Sequence, residues 1–549
     1  MSDSVLPFPP SDEQKFSYVK RHVWLLNVFT LCSFAAVAFS TLQFSHLSGG
    51  LWPFVVLIGL SAIGLALSLQ ADLFSRDFDD VEHRRHIADW AQSTGTLPTV
   101  DVFLPICGED RAVLLNTWRH VIALDYPHLT VYCLDDGGDE SIRSVAEEFG
   151  FRYLRRDNPG WFKKAGNLQF AYENSSGEFI LILDADFAPR PDFLYETLPY
   201  FASEPDLGIV QTPQFFGTSK RQNWVERGAG AVQELFYRVV QVSRAGRDAA
   251  ICVGTCAVYR RDALDSNGGT TLIEHSEDIH TGFDLRRRGW RLRYVPVNLA
   301  TGLCPDNVPA FFRQQYRWCM GSLSLCISGK FWSTKLPPRT RMCYLAGFAY
   351  YLLTALAILT APLIPLILTI FFPGRIRLVN YLVLLPALLW LYVVLPLWHR
   401  SRFRWETLSV KVAYGWAHAF AILDLVRRRP MAWRATGERA RDHRLFWFRV
   451  LAMVWSTGTG AALIAACLWQ IGANGYSALQ FAPMLALDLL YLATSARLIF
   501  WRSPDRQLGP TTSTESRQSH ATNPTPHEPG RPSQAHRPAL ALDGADRVV

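Results

Sequence analysis

Apolar residues are concentrated in six runs, two before and four after a long polar region in the middle of the chain. The runs are Val23–Phe44, Leu51–Ala71, Met342–Phe372, Val379–Trp398, Val450–Trp469 and Ala478–Phe500. Each is about as long as the ~20 residues that a helix needs to cross a bilayer. The pattern predicts six transmembrane helices, of which the third is kinked at Pro362 and Pro365.

Between Asp72 and Lys330 the apolar runs become short and alternate with amphipathic stretches. The predicted strands are Thr99–Leu104, Leu129–Leu134, Phe179–Leu183 and Gly208–Gln211. The predicted helices among them include Arg111–Ala123 and Ser141–Phe149. Such alternation predicts a mostly parallel α/β sheet, in which ligands bind at the carboxyl ends of the strands.

Charge indicates how the chain is oriented in the membrane. The net charge of the 549 residues is +7, and much of the excess lies between Arg400 and Arg444. Because cytoplasmic loops collect Lys and Arg, membrane orientation explains this charge better than nucleic-acid binding does. Six spans place the central region and the arginines in the cytosol, whereas splitting the third run would export the arginines. We therefore predict a multi-pass protein of the inner or plasma membrane without a nucleic-acid partner.

Three other regions are interpreted from composition. Val410–Val426 mixes apolar residues with Lys411, His418 and Asp424, which favours an interface helix, with a seventh span as the alternative. From Ser503 the chain is rich in Pro, Ser and Arg and is predicted to be disordered. The ten cysteines show no paired zinc pattern, so reduced thiols are expected.

Two pairs of carboxylates directly follow predicted strands: Asp184-Ala185-Asp186 and Asp135-Asp136. Carboxylates are hard oxygen ligands that suit Mg²⁺ or Mn²⁺, so Asp184 and Asp186 are candidate metal ligands. Asp135-Asp136-Gly137-Gly138 has an alternative interpretation as an ordinary Asp-Gly turn.

Two further motifs carry polar groups at predicted helix starts. Lys164 lies two residues before Gly166, and a cation beside a glycine suits the approach of a phosphate to the backbone. Ser276-Glu277-Asp278 precedes the predicted helix Ile279–Arg288, and Asp278 is a candidate general base. The alternative is that Ser276 or Asp278 only caps that helix.

Gln314-Gln315-Tyr316-Arg317-Trp318 lies in an amphipathic segment, Pro309–Cys326, just before the third span. Arginine binds diphosphates well, and a Trp ring offers a flat face on which a sugar stacks. The alternative is an interface helix with a snorkelling Arg and an anchoring Trp.

Taken in order, these motifs resemble the D, DxD, TED, QxxRW signature of processive family-2 glycosyltransferases. The matching residues are Asp135-Asp136, Asp184-Ala185-Asp186, Ser276-Glu277-Asp278 and Gln314-x-x-Arg317-Trp318. Lys164–Leu168, Gln211–Phe216 and Gly254–Val258 look most similar to the bacterial cellulose-synthase branch. The resemblance spans Phe16 to Phe500 and implies a GT-A-type glycosyltransferase domain inserted in an α-helical transmembrane bundle.

The resemblance implies an enzyme that polymerises a β-glucan from UDP-glucose at the cytosolic face and moves the polymer through the bilayer. The implied donor contacts are Asp135 or Asp136, Lys164 and Asp184, and Asp186 would complete the Mg²⁺ or Mn²⁺ site. Glu277 and Asp278 would be catalytic, with Asp278 as the base. Gln314, Arg317 and Trp318 would line the diphosphate and the end of the growing β-glycan acceptor.

Two departures from the family pattern stand out. Ser276 replaces the usual Thr, which keeps a hydroxyl, and the gating loop F-x-V-T-x-K-G is matched only loosely by Trp433–Gly437. Thr436 is the candidate nucleotide contact in that loop. Only the predicted disordered tail follows the last span, so direct regulation by cyclic-di-GMP is not expected.

Other functions remain as alternatives. A non-processive transferase that acts on a lipid carrier would typically lack QxxRW. Mannan, chitin and hyaluronan synthases share the signature, but Gln211–Phe216 favours glucose. A transporter or scaffold without catalysis is disfavoured by the intact carboxylates. The β-1,4, β-1,3 or mixed linkage and the participation of accessory export proteins stay open.

The expected segments follow from these predictions. They are a cytosolic N-terminal segment (1–21), two transmembrane helices (22–71), the cytosolic GT-A domain (72–308), the QxxRW interface helix (309–341), two transmembrane helices (342–398), a cytosolic interface helix with the gating loop (399–446), two transmembrane helices (447–502) and the tail (503–549).

Overall fold

The computed structural model describes residues 6–19, 23–73, 75, 77–93, 95–219, 221–400, 406–431 and 443–499. The candidate gating-loop residue Thr436 and the predicted tail 503–549 therefore lie outside the described residues.

A seven-stranded mixed sheet forms the centre of the polar region, with strand order β3-β2-β1-β4-β7-β6-β8. In chain order the strands are β1 (Val100–Ile106), β2 (Leu129–Asp135), β3 (Arg152–Leu154), β4 (Phe179–Ile182), β5 (Ala188–Pro189), β6 (Leu207–Gln211), β7 (Ala257–Arg260), β8 (Arg291–Tyr294) and β9 (Ala300–Thr301). Strands β5 and β9 pair separately as a short ribbon. Within the described seven-stranded sheet, only β7 runs antiparallel to its neighbours β4 and β6, so the predicted mostly parallel sheet is confirmed.

The four predicted strands correspond to β1, β2, β4 and β6 within one or two residues at each end. Strands β3 and β8 were not predicted because they are short and half-exposed and lack an apolar run. Strand β7 is buried, but the four residues Ala257–Arg260 contain only one β-branched residue and end in an arginine, so they carry a weak strand signal.

Helices cover both faces of the sheet. The helices of this region are Asp12–Lys15, Asp80–Ser93, Arg111–Val121, Glu140–Glu148, Lys163–Glu173, Leu198–Ser203, Trp224–Leu235, Gln241–Ala245, Arg261–Asn267 and Glu277–Arg287. A π-helical turn, Phe236–Val240, joins Trp224–Leu235 to Gln241–Ala245. Alternate strand residues enter different cores: Leu181 joins one apolar cluster, whereas Ile180 and Ile182 join the other. A sheet buried on both faces accounts for the near-continuous apolar strands in the sequence.

Five helices among the described residues are long and apolar enough to cross a membrane. They are Val23–Ser45, Gly49–Asp72, Pro338–Phe371, His443–Gly472 and Ala478–Leu498. The third contains the predicted kink, because Pro338–Thr360 ends before Pro362 and Leu363–Phe371 continues after it.

The fourth of the six predicted spans differs from the expectation of one helix. It consists of the short pieces Leu378–Val383, Leu385–Leu389 and Leu395–Trp398, with a π-helical turn, Trp390–Val394, between the last two. Pro386 and Pro396 each remove a backbone donor, which explains why this apolar run does not form one regular helix.

Two further helices, Val308–Ile327 and Thr407–Arg427, pack against each other beside the candidate spans. The Tyr316 hydroxyl donates to Asp424 Oδ2 at 2.7 Å, and Arg444 Nη2 donates to Asp424 Oδ1 at 2.5 Å. Thr407–Arg427 is not among the described helices that are apolar enough to cross a membrane. The interface-helix interpretation of this segment stays a prediction.

A buried ion pair joins the sheet region to the end of the fourth apolar run. Arg238 Nη1 donates to Glu234 Oε1 at 2.8 Å, and the guanidinium lies 4.3 Å from the centre of the Trp398 ring. The backbone N–H of Arg400 also donates to Glu234 Oε1, at 2.9 Å. Glu234 and Arg238 are 3% and 2% exposed. Glu234 and Arg238 therefore tie their helical run to residues Trp398 and Arg400.

Replacing this carboxylate should destabilise the protein. We expect Glu234→Gln to cost about 3 kcal/mol, because removing one partner of a buried pair leaves an uncompensated charge. The measurement is the thermal unfolding midpoint of the purified protein in detergent. Glu140→Gln is the matched control, since Glu140 makes an exposed pair with Arg143 and such pairs contribute about 0–1 kcal/mol. Equal midpoints for the two variants would contradict the role given to Glu234.

Candidate active site

The carboxyl ends of β1, β2 and β4 bring three polar loops to one edge of the sheet. Ile106 lies opposite Asp135, and Phe103 lies opposite Ile182, so the chain after each strand emerges at the same edge. Glu109 follows β1, Asp135 ends β2, and Asp184 follows β4. Parallel pairing therefore collects carboxylates that are far apart in the sequence.

Asp135 and Asp136 are both engaged within the protein. Asp135 Oδ1 accepts from the N–H groups of Gly137 and Gly138 at 2.7 and 3.0 Å, and Oδ2 accepts from the Tyr153 hydroxyl at 2.7 Å. Asp136 Oδ1 accepts from Arg156 Nε at 2.7 Å. These contacts build the Asp-Gly turn and hold it at the edge of the cleft. The predicted contact of either residue with a nucleotide stays a prediction.

Lys164 connects the DxD motif to the opposite side of the cleft. Its ammonium group forms an ion pair with Asp184, donates to the carbonyl oxygen of Gly254 at 2.8 Å and lies 4.0 Å from Glu277. Burial alone would lower the pKa of Lys164, but the nearby carboxylates outweigh it and raise that pKa above its usual value. Lys164 is therefore a fixed cation, on the first turn of the helix Lys163–Glu173.

Asp186 is the second carboxylate of the DxD motif. Burial and the charge of Asp184 raise the pKa of Asp186 to about 7. The backbone of the motif is held in place because the Thr117 hydroxyl donates to the Ala185 carbonyl at 2.8 Å, and the Asp184 N–H donates to the Thr255 hydroxyl at 2.8 Å.

Glu109 is a site residue that the sequence reasoning missed. Burial raises its pKa, and Asp184 and Asp135 raise it further. Glu109 Oε2 accepts from the Cys107 N–H at 2.6 Å, so the carboxylate turns back toward the end of β1. Asp135 and Asp184 come immediately after predicted strands, whereas Glu109 lies five residues beyond the predicted strand Thr99–Leu104, so the same signal did not single it out.

The residues of the DxD motif fit a divalent cation that is shared with a ligand. The described residues contain no group of three or more His, Cys, Asp or Glu side chains suited to hold a metal by themselves. Mg²⁺ is commonly bound through one or two carboxylates, with phosphate oxygens and water completing the shell. The raised pKa of Asp186 also fits, because an adjacent cation would favour its ionised form.

Ser276, Glu277 and Asp278 begin the helix Glu277–Arg287 across the cleft from the DxD motif. The Ser276 side chain makes no capping hydrogen bond to this helix, whereas Asp278 Oδ1 accepts from the next N–H, that of Ile279, at 2.8 Å. A Cβ atom on Gly254 would lie 3.1 Å from Asp278 Cβ and Oδ2. A larger residue at this position would therefore crowd the Asp278 side chain.

Glu277 and Asp278 are adjacent acids in a desolvated position. Burial and the charge of Glu277 raise the pKa of Asp278 to about 7. Burial also raises the pKa of Glu277, although Lys164 opposes that shift. An acid with a pKa near neutrality is well suited to accept a proton in the physiological range.

The helix Val308–Ile327 packs directly on the Ser276 turn. A Cβ atom on Gly321 would lie 2.0 Å from Ser276 Oγ, so the two helices approach each other only because residue 321 is glycine. The Ser276 hydroxyl donates to the Arg317 carbonyl at 3.4 Å. This packing brings Arg317 to the same cleft as Glu277 and Asp184.

Gln314, Arg317 and Trp318 are all half-buried and fall on neighbouring positions of one helix face. Among the described residues, Gln314 Oε1 is buried without a hydrogen-bond partner. Burial and the neighbouring Arg313 lower the pKa of Arg317, while Glu277 and Asp184 oppose this effect. The cleft therefore combines carboxylates, the cations Lys164 and Arg317, and a polar amide.

Gln211 supports the cleft from beneath. Its side chain is fully buried, donates to the Thr255 carbonyl at 2.8 Å and accepts from the Val253 N–H at 2.9 Å. These bonds position the segment from which Gly254 and Thr255 contact Lys164 and Asp184. Gln211 thus acts through the backbone and does not face the cleft.

Comparison with known proteins finds similarity to glycosyltransferases over part of the chain. Residues 179–394 match the family model described as Glycosyl transferase family group 2. Among curated proteins, the chain is 30% identical over 331 residues to "Cellulose synthase 1 catalytic subunit [UDP-forming]" of Komagataeibacter xylinus. The matched region covers 59% of this chain and 42% of that protein. It is 34% identical over 278 residues to "Cellulose synthase catalytic subunit [UDP-forming]" of Pseudomonas fluorescens (strain SBW25), which covers 49% and 38%.

Among solved structures, a mannosyltransferase from Pyrobaculum calidifontis in complex with GDP-Man and Mn²⁺ superimposes with a TM-score of 0.45 at 20% identity, over 66% of this chain and 99% of that one. The chain spans less than half the length of the two curated relatives. The matched region is thus similar to family-2 glycosyltransferases of the cellulose-synthase type.

Proposed function

We propose that the protein is a processive, inverting glycosyltransferase that polymerises a β-glucan from UDP-glucose and moves it across the membrane. The observation that carries the proposal is the position of Asp278. This acid, with its pKa near 7, lies opposite the Lys164–Asp184 ion pair and beside the helix that bears Gln314, Arg317 and Trp318. In this proposal a base, a diphosphate site and an acceptor platform share one cleft.

In the proposed reaction, Asp278 accepts the proton of the acceptor hydroxyl. The hydroxyl oxygen forms a bond to C1 of the donor sugar as the bond from C1 to the UDP oxygen breaks, which inverts the configuration at C1. Lys164 and Arg317 offset the charge that develops on the departing diphosphate. A Mg²⁺ or Mn²⁺ ion held by Asp184 and Asp186 would supply further neutralisation of that charge.

Donor recognition is proposed to use the loop at the end of β2. Asp135 and Asp136 lie at the end of β2, which is separated from β4 by β1 in the sheet, and we infer that the uridine extends toward them from a diphosphate at Lys164. The two curated relatives are named UDP-forming, which supports UDP as the nucleotide. Thr436 remains a proposed contact of the nucleotide from outside the described residues.

A cluster of aromatic and hydroxyl side chains next to the QxxRW helix supports translocation. The rings of Tyr351 and Tyr414 lie 4.8 and 5.3 Å from the ring of His418, between Pro338–Thr360 and Thr407–Arg427. The Thr354 hydroxyl lies 2.6 Å from His418 Nδ1. Flat rings and hydroxyls suit a sugar chain that slides, because they offer stacking and exchangeable hydrogen bonds. We infer that the glycan leaves the cleft along this cluster.

The orientation and the segment boundaries complete the proposal. We infer that the glycosyltransferase domain, residues 72–308, faces the cytosol and that the protein resides in the inner or plasma membrane. The lipid bilayer and the growing β-glycan are its proposed partners, and accessory export proteins are candidates for further contacts.

The donor and product can be tested directly. We expect protein purified into lipid vesicles to incorporate label from UDP-glucose into a high-molecular-weight product in the presence of Mg²⁺ or Mn²⁺. UDP-N-acetylglucosamine and GDP-mannose serve as competing donors, and linkage-specific glucanases would identify the linkage. Label appearing only in a lipid extract would replace the proposal with a non-processive enzyme, and label from another donor would change the polymer.

Removing the base should stop turnover but not donor binding. We expect Asp278→Asn to lower polymerisation by a factor of about 10²–10⁴, since that is the usual contribution of a general base. UDP affinity, measured by calorimetry, should change little. Asp262→Asn is the matched control because Asp262 is exposed and lies outside the cleft. Wild-type turnover in Asp278→Asn would remove Asp278 from this role.

Replacing Asp186 should weaken the metal-dependent binding of UDP. In Asp186→Asn we expect the Mn²⁺ concentration that supports half-maximal UDP binding to rise about tenfold or more, because one charged metal ligand becomes a neutral amide. The measurement is a Mn²⁺ titration at fixed UDP, with Asp278→Asn run in parallel as a control that keeps both DxD carboxylates. An unchanged Mn²⁺ requirement would contradict the assignment of Asp186.

A further inference from the structure

A cavity with about 510 Å³ of free space lies beside the helix that carries the QxxRW motif. Its size falls within the ~300–1,000 Å³ that is usual for sites of small ligands. Its lining comes from four helices, which are Val308–Ile327, Thr407–Arg427, His443–Gly472 and Ala478–Leu498. All lining residues except Arg449 are apolar. The cavity therefore suits a hydrocarbon chain better than a sugar or a nucleotide.

The cavity lies at one end of the last two candidate membrane spans. Leu445 is near the start of His443–Gly472, and Leu498 is the last residue of Ala478–Leu498. These two helices follow each other in the chain and pack together, so the start of one and the end of the other lie at the same membrane face. From Leu445 to Ala452 the lining extends about 10 Å along the helix axis. Each leaflet contributes about 15 Å of hydrocarbon, so the cavity reaches well into one leaflet.

Aromatic side chains form the wall between the cavity and the QxxRW helix. The rings of Phe420 and Phe448 stack with their centres 4.0 Å apart, and the ring of Phe312 lies 6.3 Å from that of Phe448. Phe312 and Phe448 both line the cavity and are buried. Because Phe312 lies two residues before Gln314, a ligand in the cavity would pack against the helix that presents Gln314 to the cleft.

The end of the cavity at the membrane face is basic. Arg449 lines the cavity and is exposed. The stretch His443–Ala452 holds Arg444 and Arg449 but no Asp or Glu, and Arg497 lies in the last turn of the neighbouring span. Basic residues at a membrane face attract anionic lipid headgroups. Charge complementarity therefore favours an anionic lipid over a zwitterionic one at this place.

We propose that the cavity is a binding site for an anionic phospholipid of the bilayer, with one acyl chain in the cavity and the headgroup phosphate at Arg449. The bilayer is the source of the ligand because two of the lining helices are candidate membrane spans. The apolar walls offer contact along the acyl chain, and a guanidinium matches phosphate oxygens through paired N–H donors. The site is separate from the catalytic cleft, and the proposal does not depend on the identity of the sugar donor.

The site is tested by photocrosslinking of the full-length protein in phosphatidylcholine nanodiscs. The probes are phosphatidylglycerol and phosphatidylcholine that carry the same diazirine-bearing acyl chain, and peptide mass spectrometry locates the crosslinks. We expect crosslinks in the peptide that contains Phe312, with about fivefold more from phosphatidylglycerol, the size of one basic residue's attraction to an anionic membrane. Arg449→Gln should remove this preference. Arg497→Gln is the matched control and should keep it, because Arg497 is exposed and does not line the cavity.

A second pair of variants tests the cavity itself. Ala452→Phe fills the cavity and should abolish the crosslinks at Phe312 from both lipids. Ala461→Phe adds the same ring at an exposed position of the same helix and should leave the crosslinks unchanged. Thermal unfolding midpoints confirm that both variants are folded, and Arg449→Gln tests the site without a change of volume.

Two results would overturn the proposal. Unchanged crosslinking at Phe312 in folded Ala452→Phe would show that the acyl chain does not occupy the cavity. A preference for phosphatidylglycerol that survives in Arg449→Gln would remove the headgroup from Arg449. Crosslinks confined to outward-facing peptides, such as the one that contains Ala461, would indicate only lipid around the protein and would also contradict the site.

Discussion

The ion pair between Lys164 and Asp184 is the interaction on which the rest of the cleft depends. Asp184, Asp186, Glu277 and Asp278 gather at one edge of the sheet, and each additional carboxylate in a desolvated place makes the others harder to ionise. Lys164 bridges the two pairs, since it contacts Asp184 and the Gly254 carbonyl and lies 4.0 Å from Glu277. Without such a cation the acids would protonate or move apart.

The same cluster explains why the acids have different proposed roles. The DxD pair sits on a rigid strand end, held by the hydroxyls of Thr117 and Thr255, and can share a metal ion with a diphosphate. Asp278 sits on a helix start across the cleft, where its raised pKa suits proton acceptance. Environment, and not residue type, separates a metal ligand from a base.

Close packing at Gly321 connects the cleft to the membrane-proximal helices. Gly321 allows the helix Val308–Ile327 to lie on the Ser276 turn, so Arg317 reaches the cleft, while Tyr316 on another face binds Asp424 of the interface helix Thr407–Arg427. The helix that bears Asp278 and the membrane-proximal helices are therefore connected through one helix.

The sequence by itself determined the local features. Strands β1, β2, β4 and β6, the kink at Pro362 and the four ordered motifs were all predicted, because each depends on hydrophobic period, proline or residue order within a few positions. The tertiary structure alone decided which groups meet. The antiparallel pairing of β7, the buried supporting position of Gln211 and the place of Glu109 depend on contacts between segments distant in the chain. Such contacts leave no local period in the sequence, since burial and charge at these sites come from neighbours that only the fold supplies.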